Sequence, residues 1–211
     1  MNAFKMFVFF VPVPGCVLSF FLWRWRTSST LFALFAVLLP LVYGYAMPGI
    51  ATSLMGKWRF KGGIRLGGIY VHHGFIYASK LSLLLFACSY CLNPAEATIP
   101  MLVSAGFAFS ATYALVAWID EIFLLKNDMV QLNAPGSEMS PAERTFKYAP
   151  ASFSAIGATY FCSTAWAYWR IVLENDTEPW CVAALFLGGF VFMFTVPSLV
   201  YGASVPNDKS R

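Results

Sequence analysis

Long runs of apolar residues alternate with short polar segments along nearly the whole chain. A helix needs roughly 20 apolar residues to cross the hydrocarbon core of a bilayer, and stretches near that length recur. They predict six transmembrane helices, over residues 6–23, 31–47, 67–92, 99–119, 148–169 and 180–201. Pro12, Pro14 and Gly15 are expected to disturb the first of these helices. We therefore expect an all-α, polytopic integral membrane protein that forms a single domain over residues 1–211.

The composition agrees with this pattern. Of the 211 residues, 59% are hydrophobic and only 11% are charged, whereas charged residues make up about a quarter of a typical soluble domain. This balance excludes a disordered chain, a nucleic-acid-binding domain and an ordinary soluble enzyme. The lipid bilayer is therefore an expected partner, and nucleic acid is not.

The basic residues are unevenly distributed between the gaps, and this predicts the orientation. With six spans, the termini and the two longest gaps, residues 48–66 and 120–147, fall on one side of the membrane. That side holds ten of the fourteen Lys and Arg residues. Because Lys and Arg concentrate in inner loops, both termini are predicted to lie inside. The expected location is a bacterial or mitochondrial inner membrane.

The first long gap alternates basic and aromatic residues. Its candidate contact residues for lipid or for a partner protein are Lys57, Trp58, Arg59, Lys61 and Arg65. Trp at headgroup depth with Lys and Arg beside it is typical of a segment that meets anionic lipid. A docking surface for another protein is the alternative.

Lys80 is the most informative single residue, because it falls near the middle of the predicted third span. A charge there is costly and should face protein or water. His73, Tyr77 and Lys80 follow one another at helical spacing, so they form one polar stripe. The stripe could line a path for protons or anions, or Lys80 could be a buried structural residue. Since no acidic residue is expected at its depth, we hypothesise that Lys80 pairs outside its own chain.

Other residues give little indication of chemistry. His72 and His73 are adjacent and the only histidines, so they cannot supply both axial ligands of one haem. No ligand set for a metal, no cofactor site and no catalytic constellation is predicted. A disulfide between Cys91 and Cys181 is an open possibility. Ser140 followed by Glu143 predicts a helix that begins with a capping box and runs on into the fifth span.

Two classes of function follow from these patterns. The first is a non-catalytic structural or assembly subunit of a multi-protein membrane complex of the respiratory, secretion or conjugation type, because catalytic residues are missing and the loops are short. The second is a small homo-oligomeric channel or transporter that uses the stripe around Lys80. In either class the chain contacts other membrane subunits or further copies of itself.

Overall fold

The computed structural model describes residues 3–56, 58–90, 96–132 and 140–204, and these are mostly helical. The helices are α1 (Ala3–Phe10), α2 (Pro12–Thr27), α3 (Thr30–Gly49), α4 (His73–Ser89), α5 (Ile99–Lys126), α6 (Pro141–Phe146), α7 (Ala149–Ala167) and α8 (Pro179–Ser204). Short π-helical segments extend α3 over Ile50–Leu54 and α7 over Tyr168–Leu173. The strands are β1 (Trp58–Phe60), β2 (Arg65–Leu66), β3 (Ile69–Tyr70) and β4 (Val130–Leu132).

Three helices within the described residues are long and apolar enough to cross a membrane. They cover Thr30–Leu54, Ile99–Lys126 and Pro179–Ser204, with 25, 28 and 26 residues. A fourth span is added if the bent pair Phe4–Phe10 and Pro12–Thr27 counts as one. These helices indicate that the protein is associated with a membrane.

The observed helix bounds correct several predicted ones. The predicted first span is two helices that meet at an angle of 53° beside Pro12, because Pro lacks the N–H that a continuous helix needs. The predicted third span begins at His73 instead of residue 67. The inner gaps are shorter than predicted, since helical structure continues to Leu54 at one end and to Lys126 at the other.

The predicted capping box is present at the start of α6. The backbone N–H of Glu143 donates to Ser140 Oγ at 3.3 Å, and the backbone N–H of Ser140 donates to Glu143 Oε2 at 3.0 Å. The Ser140 hydroxyl, which donates to Glu143 Oε2 at 2.7 Å, and then the Ser140 backbone N–H lower the pKa of Glu143. The helix does not run on into the fifth span as expected. It ends at Phe146, and α7 begins with Pro150 in its first turn.

The main core is built where six helices meet. α2, α3 and α4 pack on one another, α5 and α8 flank α7, and α3 and α4 join the two groups. Close approach depends on glycine at two crossings: a Cβ on Gly74 would meet the Tyr45 ring at 2.3 Å, and one on Gly157 would meet Ser110 Cα at 2.9 Å. Several buried hydroxyls inside this core are hydrogen bonded, as where Trp23 Nε1 donates to Ser82 Oγ at 3.0 Å. Ser152 Oγ of α7 is buried without a partner among the described residues.

The two inner gaps, predicted as separate loops, form one β-structured platform. β1 pairs antiparallel with β4, with Arg59 opposite Gln131, and β2 pairs with β3 in a hairpin. Gly67 begins the two-residue hairpin turn with φ +62°, a conformation that glycine adopts without steric cost. This platform, residues 58–70 and 128–132, was not predicted.

A second, smaller core joins the platform to the helices. Val8 of α1, Phe60 of β1 and Met129 before β4 are buried in it together with Ile69, Tyr70 and Ile76. Phe60 and Tyr70 stack with ring centroids 4.3 Å apart, and Tyr70 Oη donates to the carbonyl of Lys61 at 2.8 Å. The platform thus packs against both α1 and α4.

Pairing of β1 with β4 can be checked by cysteine cross-linking. In a background without native cysteines, Arg59→Cys with Gln131→Cys should form a disulfide on mild oxidation, because these residues are directly opposite in the ladder. The bond is detected by mass spectrometry of proteolytic fragments. The control pair, Arg59→Cys with Glu96→Cys, should not cross-link. Equal yields from both pairs would contradict the pairing.

Candidate functional site

A cavity of about 130 Å³ lies between α4 and α5, directly under the platform. α4 contributes His73, Tyr77 and Lys80 to its wall, so the three residues of the predicted stripe do share one cavity. α5 contributes Asp120 and Glu121, which the sequence reading left outside the stripe. The remainder of the wall is largely apolar, with Val8, Val11, Pro12, Phe60, Ile76 and Phe153 among its residues.

Lys80 and Asp120 form an ion pair across this cavity, from Nζ to Oδ2. The side chains are only 22% and 17% exposed. Coulombic attraction is much stronger in such surroundings than in water, and an unpaired charge there is costly. The pair therefore fixes the contact between the first half of α4 and the second half of α5.

This ion pair overturns the hypothesis that Lys80 pairs outside its own chain. The error came from the predicted helix ends. α4 begins at His73, so Lys80 lies about 10 Å along the helix from its start at about 1.5 Å per residue. α5 continues to Lys126, so Asp120 lies about 9 Å inside its end by the same rise. The two charges are therefore at matching depth.

Glu121 lies beside the ion pair and has one carboxylate oxygen without a partner. Tyr148 Oη donates to Glu121 Oε1 at 2.6 Å. Glu121 Oε2 is buried and has no hydrogen-bond partner among the described residues. Buried polar atoms are nearly always satisfied in folded proteins, so an orphaned carboxylate oxygen on a cavity wall points to a ligand or a proton.

His73 is the second unsatisfied group in the cavity. It is 5% exposed, and both of its ring nitrogens are buried without a hydrogen-bond partner in the described part of the chain. Its ring contacts Phe60 and Tyr77, with centroids 5.0 Å and 5.5 Å away. The imidazole is therefore held by aromatic rings, while its two nitrogens, one donor and one acceptor when neutral, remain available.

The neighbouring His72 has a different environment. Its Nε2 lies 3.1 Å from the carbonyl oxygen of Val8, and its ring stacks on Tyr70 at 5.5 Å. Burial lowers the pKa of His72. The two adjacent side chains thus have different surroundings: His72 contacts the platform and α1, whereas His73 lines the cavity.

The basic and aromatic residues of the predicted contact segment are placed on the platform. Trp58 also lines the cavity, while the exposed Arg59 donates to Gln131 Oε1 at 3.0 Å. Lys61 forms an ion pair with Asp128 at 2.6 Å, and Arg65 donates to the Phe60 carbonyl at 2.8 Å. Lys57 lies outside the described residues. These contacts hold the platform together, which the alternation of basic and aromatic residues did not predict.

The predicted disulfide partner Cys91 also lies outside the described residues. Cys181 is close to Asp176 and Arg170, and Arg170 forms ion pairs with Glu174 and Asp176. The Cys181 thiol and, after it, the Arg170 guanidinium lower the pKa of Asp176. In the described ranges no three His, Cys, Asp or Glu side chains are grouped as metal ligands.

The comparisons with known proteins leave the site to be interpreted from its geometry alone. No family model matches the chain, and no curated protein or solved structure is significantly similar to it.

Loss of one partner of the central ion pair should destabilise the protein strongly. We expect Lys80→Met and Asp120→Asn each to cost about 3–5 kcal/mol of unfolding free energy, because the remaining charge stays buried and unpaired. The double variant should be more stable than the sum of the two losses implies. Titration with a denaturing detergent measures these energies.

The exposed pair of Lys61 and Asp128 provides the matched control. Its side chains are 40% and 78% exposed, so Lys61→Met should change the unfolding free energy by no more than about 1 kcal/mol. A single variant at Lys80 that is as stable as the wild type would show that the buried pair does not support the fold.

Proposed function

We propose that the protein is a multi-span membrane protein that conducts protons through the cavity between α4 and α5. The observation that carries this proposal is the grouping of four ionisable side chains around one cavity in an apolar bundle: His73, Lys80, Asp120 and Glu121. Ionisable residues inside spans are rare, and chains of Asp, Glu and His there mark proton relays.

A six-span arrangement, with both termini inside, is part of this proposal. β1 and β4 are hydrogen bonded, so they lie on the same side of the membrane. The chain between them must then cross an even number of times. With α5 as a span, we infer that α4 crosses as well, although its 17 residues reach only about 26 Å.

The remaining crossings are supplied by helices already described. The bent pair α1 and α2 and the long helix that includes α3 provide the first two. α7 with its π-helical extension to Leu173, and then α8, provide the last two. The platform, with Arg59, Lys61 and Arg65, is then on the inner side, where basic residues concentrate.

The arrangement of ionisable side chains in the cavity supports proton transfer from one to the next. Glu121 Oε2 and the His73 nitrogens lack partners in the described residues, so each can take up and release a proton without breaking an existing hydrogen bond. The Lys80–Asp120 pair holds a charged group of each sign beside them. A proton that enters under the platform therefore meets acceptors before it reaches the middle of the bundle.

Further hydroxyl-bearing side chains lie along α4 towards the other end of the bundle. Tyr77 contacts the fully buried Tyr43, with ring centroids 5.7 Å apart. Further along α4, Ser82 is fully buried and bonded to Ser19 of α2. Hydroxyl groups both donate and accept hydrogen bonds, as a proton chain requires.

Proton flux through reconstituted protein tests the proposal. Liposomes that contain the protein, a trapped pH-sensitive dye and an outward potassium gradient should acidify when valinomycin is added, several-fold faster than empty liposomes. Glu121→Gln should reduce the protein-dependent rate at least tenfold, because the amide cannot carry the proton.

Glu143→Gln is the control, since Glu143 is an exposed capping residue on α6. It should conduct as the wild type does. Wild-type protein that conducts no faster than empty liposomes would refute the proposal. Equal rates for Glu121→Gln and the wild type would show that Glu121 does not carry the conducted proton.

A second candidate function, a non-catalytic subunit of a membrane complex, is favoured by a different observation. The platform and the end of the α3 extension expose apolar side chains: Leu54, the last residue of its span, and Ile64 are each 80% exposed, and Leu66 is 65% exposed. Clustered apolar residues on a polar surface are typical of contact sites. Arg59 and Arg65 beside them would complement an acidic partner.

Purification in mild detergent tests this second function. If a partner binds the platform, proteins of fixed stoichiometry should co-purify with the wild type and be lost from Ile64→Ser with Leu66→Ser. Glu143→Gln should keep them, because Glu143 is an exposed capping residue on α6 and not part of the platform. A single species at a small multiple of 23.4 kDa would contradict the subunit function.

A further inference from the structure

A second and larger cavity lies at the opposite end of the bundle from the platform. Its volume is about 370 Å³, within the range of about 300–1,000 Å³ that is usual for ligand pockets. Its wall is formed by the ends of α2 and α4, the start of α5, and the second half of α7 with its π-helical extension. The cavity opens at the surface beside Trp166 and Trp169, so an occupant can enter it from outside the bundle.

The wall of this cavity is apolar and aromatic apart from a few polar groups. Its apolar part includes Trp23, Phe32, Leu85, Leu102, Phe161, Trp166, Trp169 and Leu173. Trp166 and Trp169 are 62% and 56% exposed, so they form a rim that faces away from the protein. In a membrane-spanning bundle this rim faces lipid, at the depth where Trp is enriched.

Arg26 supplies the charge among the described lining residues. Its Nη2 donates to the Ser89 carbonyl oxygen at 2.6 Å, and its guanidinium lies 5.7 Å from the centroid of the Phe86 ring. These contacts fix a positive charge in the last turn of α2. Arg provides five N–H donors, so contacts to Ser89 are compatible with binding an anion as well.

The backbone of α7 is altered at this cavity. Tyr168, Trp169 and Leu173 belong to the lining and to the π-helical segment Tyr168–Leu173. π-helical turns are rare and occur frequently at functional sites, because the wider turn displaces side chains from their α-helical positions. Here the segment presents two aromatic rings to the cavity.

We propose that this cavity binds one acyl chain of an anionic membrane phospholipid, with its phosphate at Arg26. The apolar wall accommodates the chain, the lipid-facing Trp rim provides the entrance, and Arg recognises phosphate through charge and paired N–H donors. The charge of Arg26 selects an anionic headgroup over one without net charge. The site is separate from the cavity of Lys80 and does not depend on proton conduction.

Lipid retention measured by native mass spectrometry tests this site. The protein is reconstituted in nanodiscs with equal amounts of phosphatidylglycerol and phosphatidylcholine of identical chains, and then released in the spectrometer. The wild type should retain one phosphatidylglycerol in clear preference to phosphatidylcholine. Arg26→Gln should lower the retained phosphatidylglycerol at least fivefold. Arg24→Gln is the matched control, since Arg24 is exposed on the same helical turn.

Filling the cavity tests the position of the acyl chain. Ala165→Phe should reduce retention of both lipids, and Leu102→Trp fills the same space from α5 if the first variant does not fold. Ala111→Phe, on an exposed position of α5, should leave retention unchanged. Equal retention in the wild type, Arg26→Gln and the filled variants would overturn the proposal. Equal binding of the two lipids by the wild type would also overturn it, since the headgroup would then not be recognised.

Discussion

The ion pair between Lys80 and Asp120 is the constraint on which the arrangement of the bundle depends. A lysine and an aspartate inside an apolar helical protein cannot face lipid without a large cost, so they must meet. Their contact sets how α4 and α5 are aligned along their axes. That alignment places His73 and Glu121 on one cavity, and it brings the start of α4 and the end of α5 to the same level. β4 follows the end of α5, and β1 precedes the β2–β3 hairpin that leads into α4, so β1 and β4 can then pair.

The platform packs across the end of the bundle where α4 begins and α5 ends. Its strands are too short to be stable alone, and they are stabilised by burial of Phe60 and Tyr70 against α1 and α4. Phe60 also lines the cavity and contacts the His73 ring, while Tyr70 stacks on His72. The platform therefore covers one side of the site, and the Lys80 and Asp120 side chains remain 22% and 17% exposed. At the opposite end of the bundle, the exposed Trp166 and Trp169 stand beside a larger apolar cavity.

Periodicity and length predicted most of the helices, because long apolar runs leave few alternatives to a helix. The break beside Pro12 and the capping box at Ser140 were also readable, since both depend on residues adjacent in sequence. The stripe of His73, Tyr77 and Lys80 followed from helical spacing, whereas its acidic partners did not. An error of six residues in the start of one helix was enough to put Lys80 at the wrong depth. The pairing of β1 with β4 joins residues about 70 positions apart, and strands of three residues carry too little pattern to reveal such a contact.

The ion pair also has a consequence for how the chain is made. In the proposed six-span arrangement, α4 reaches the membrane while its charge has no partner, because Lys80 is synthesised 40 residues before Asp120. Insertion of that helix alone would carry a penalty of about 2.5–3.5 kcal/mol for the lysine, on top of its short apolar length. Release of α4 together with α5 as a helical hairpin avoids this penalty, since both charges then enter already neutralised. In that arrangement α4 should remain beside the insertion machinery until α5 has been synthesised. β1 and β4 can pair only after both helices have been inserted.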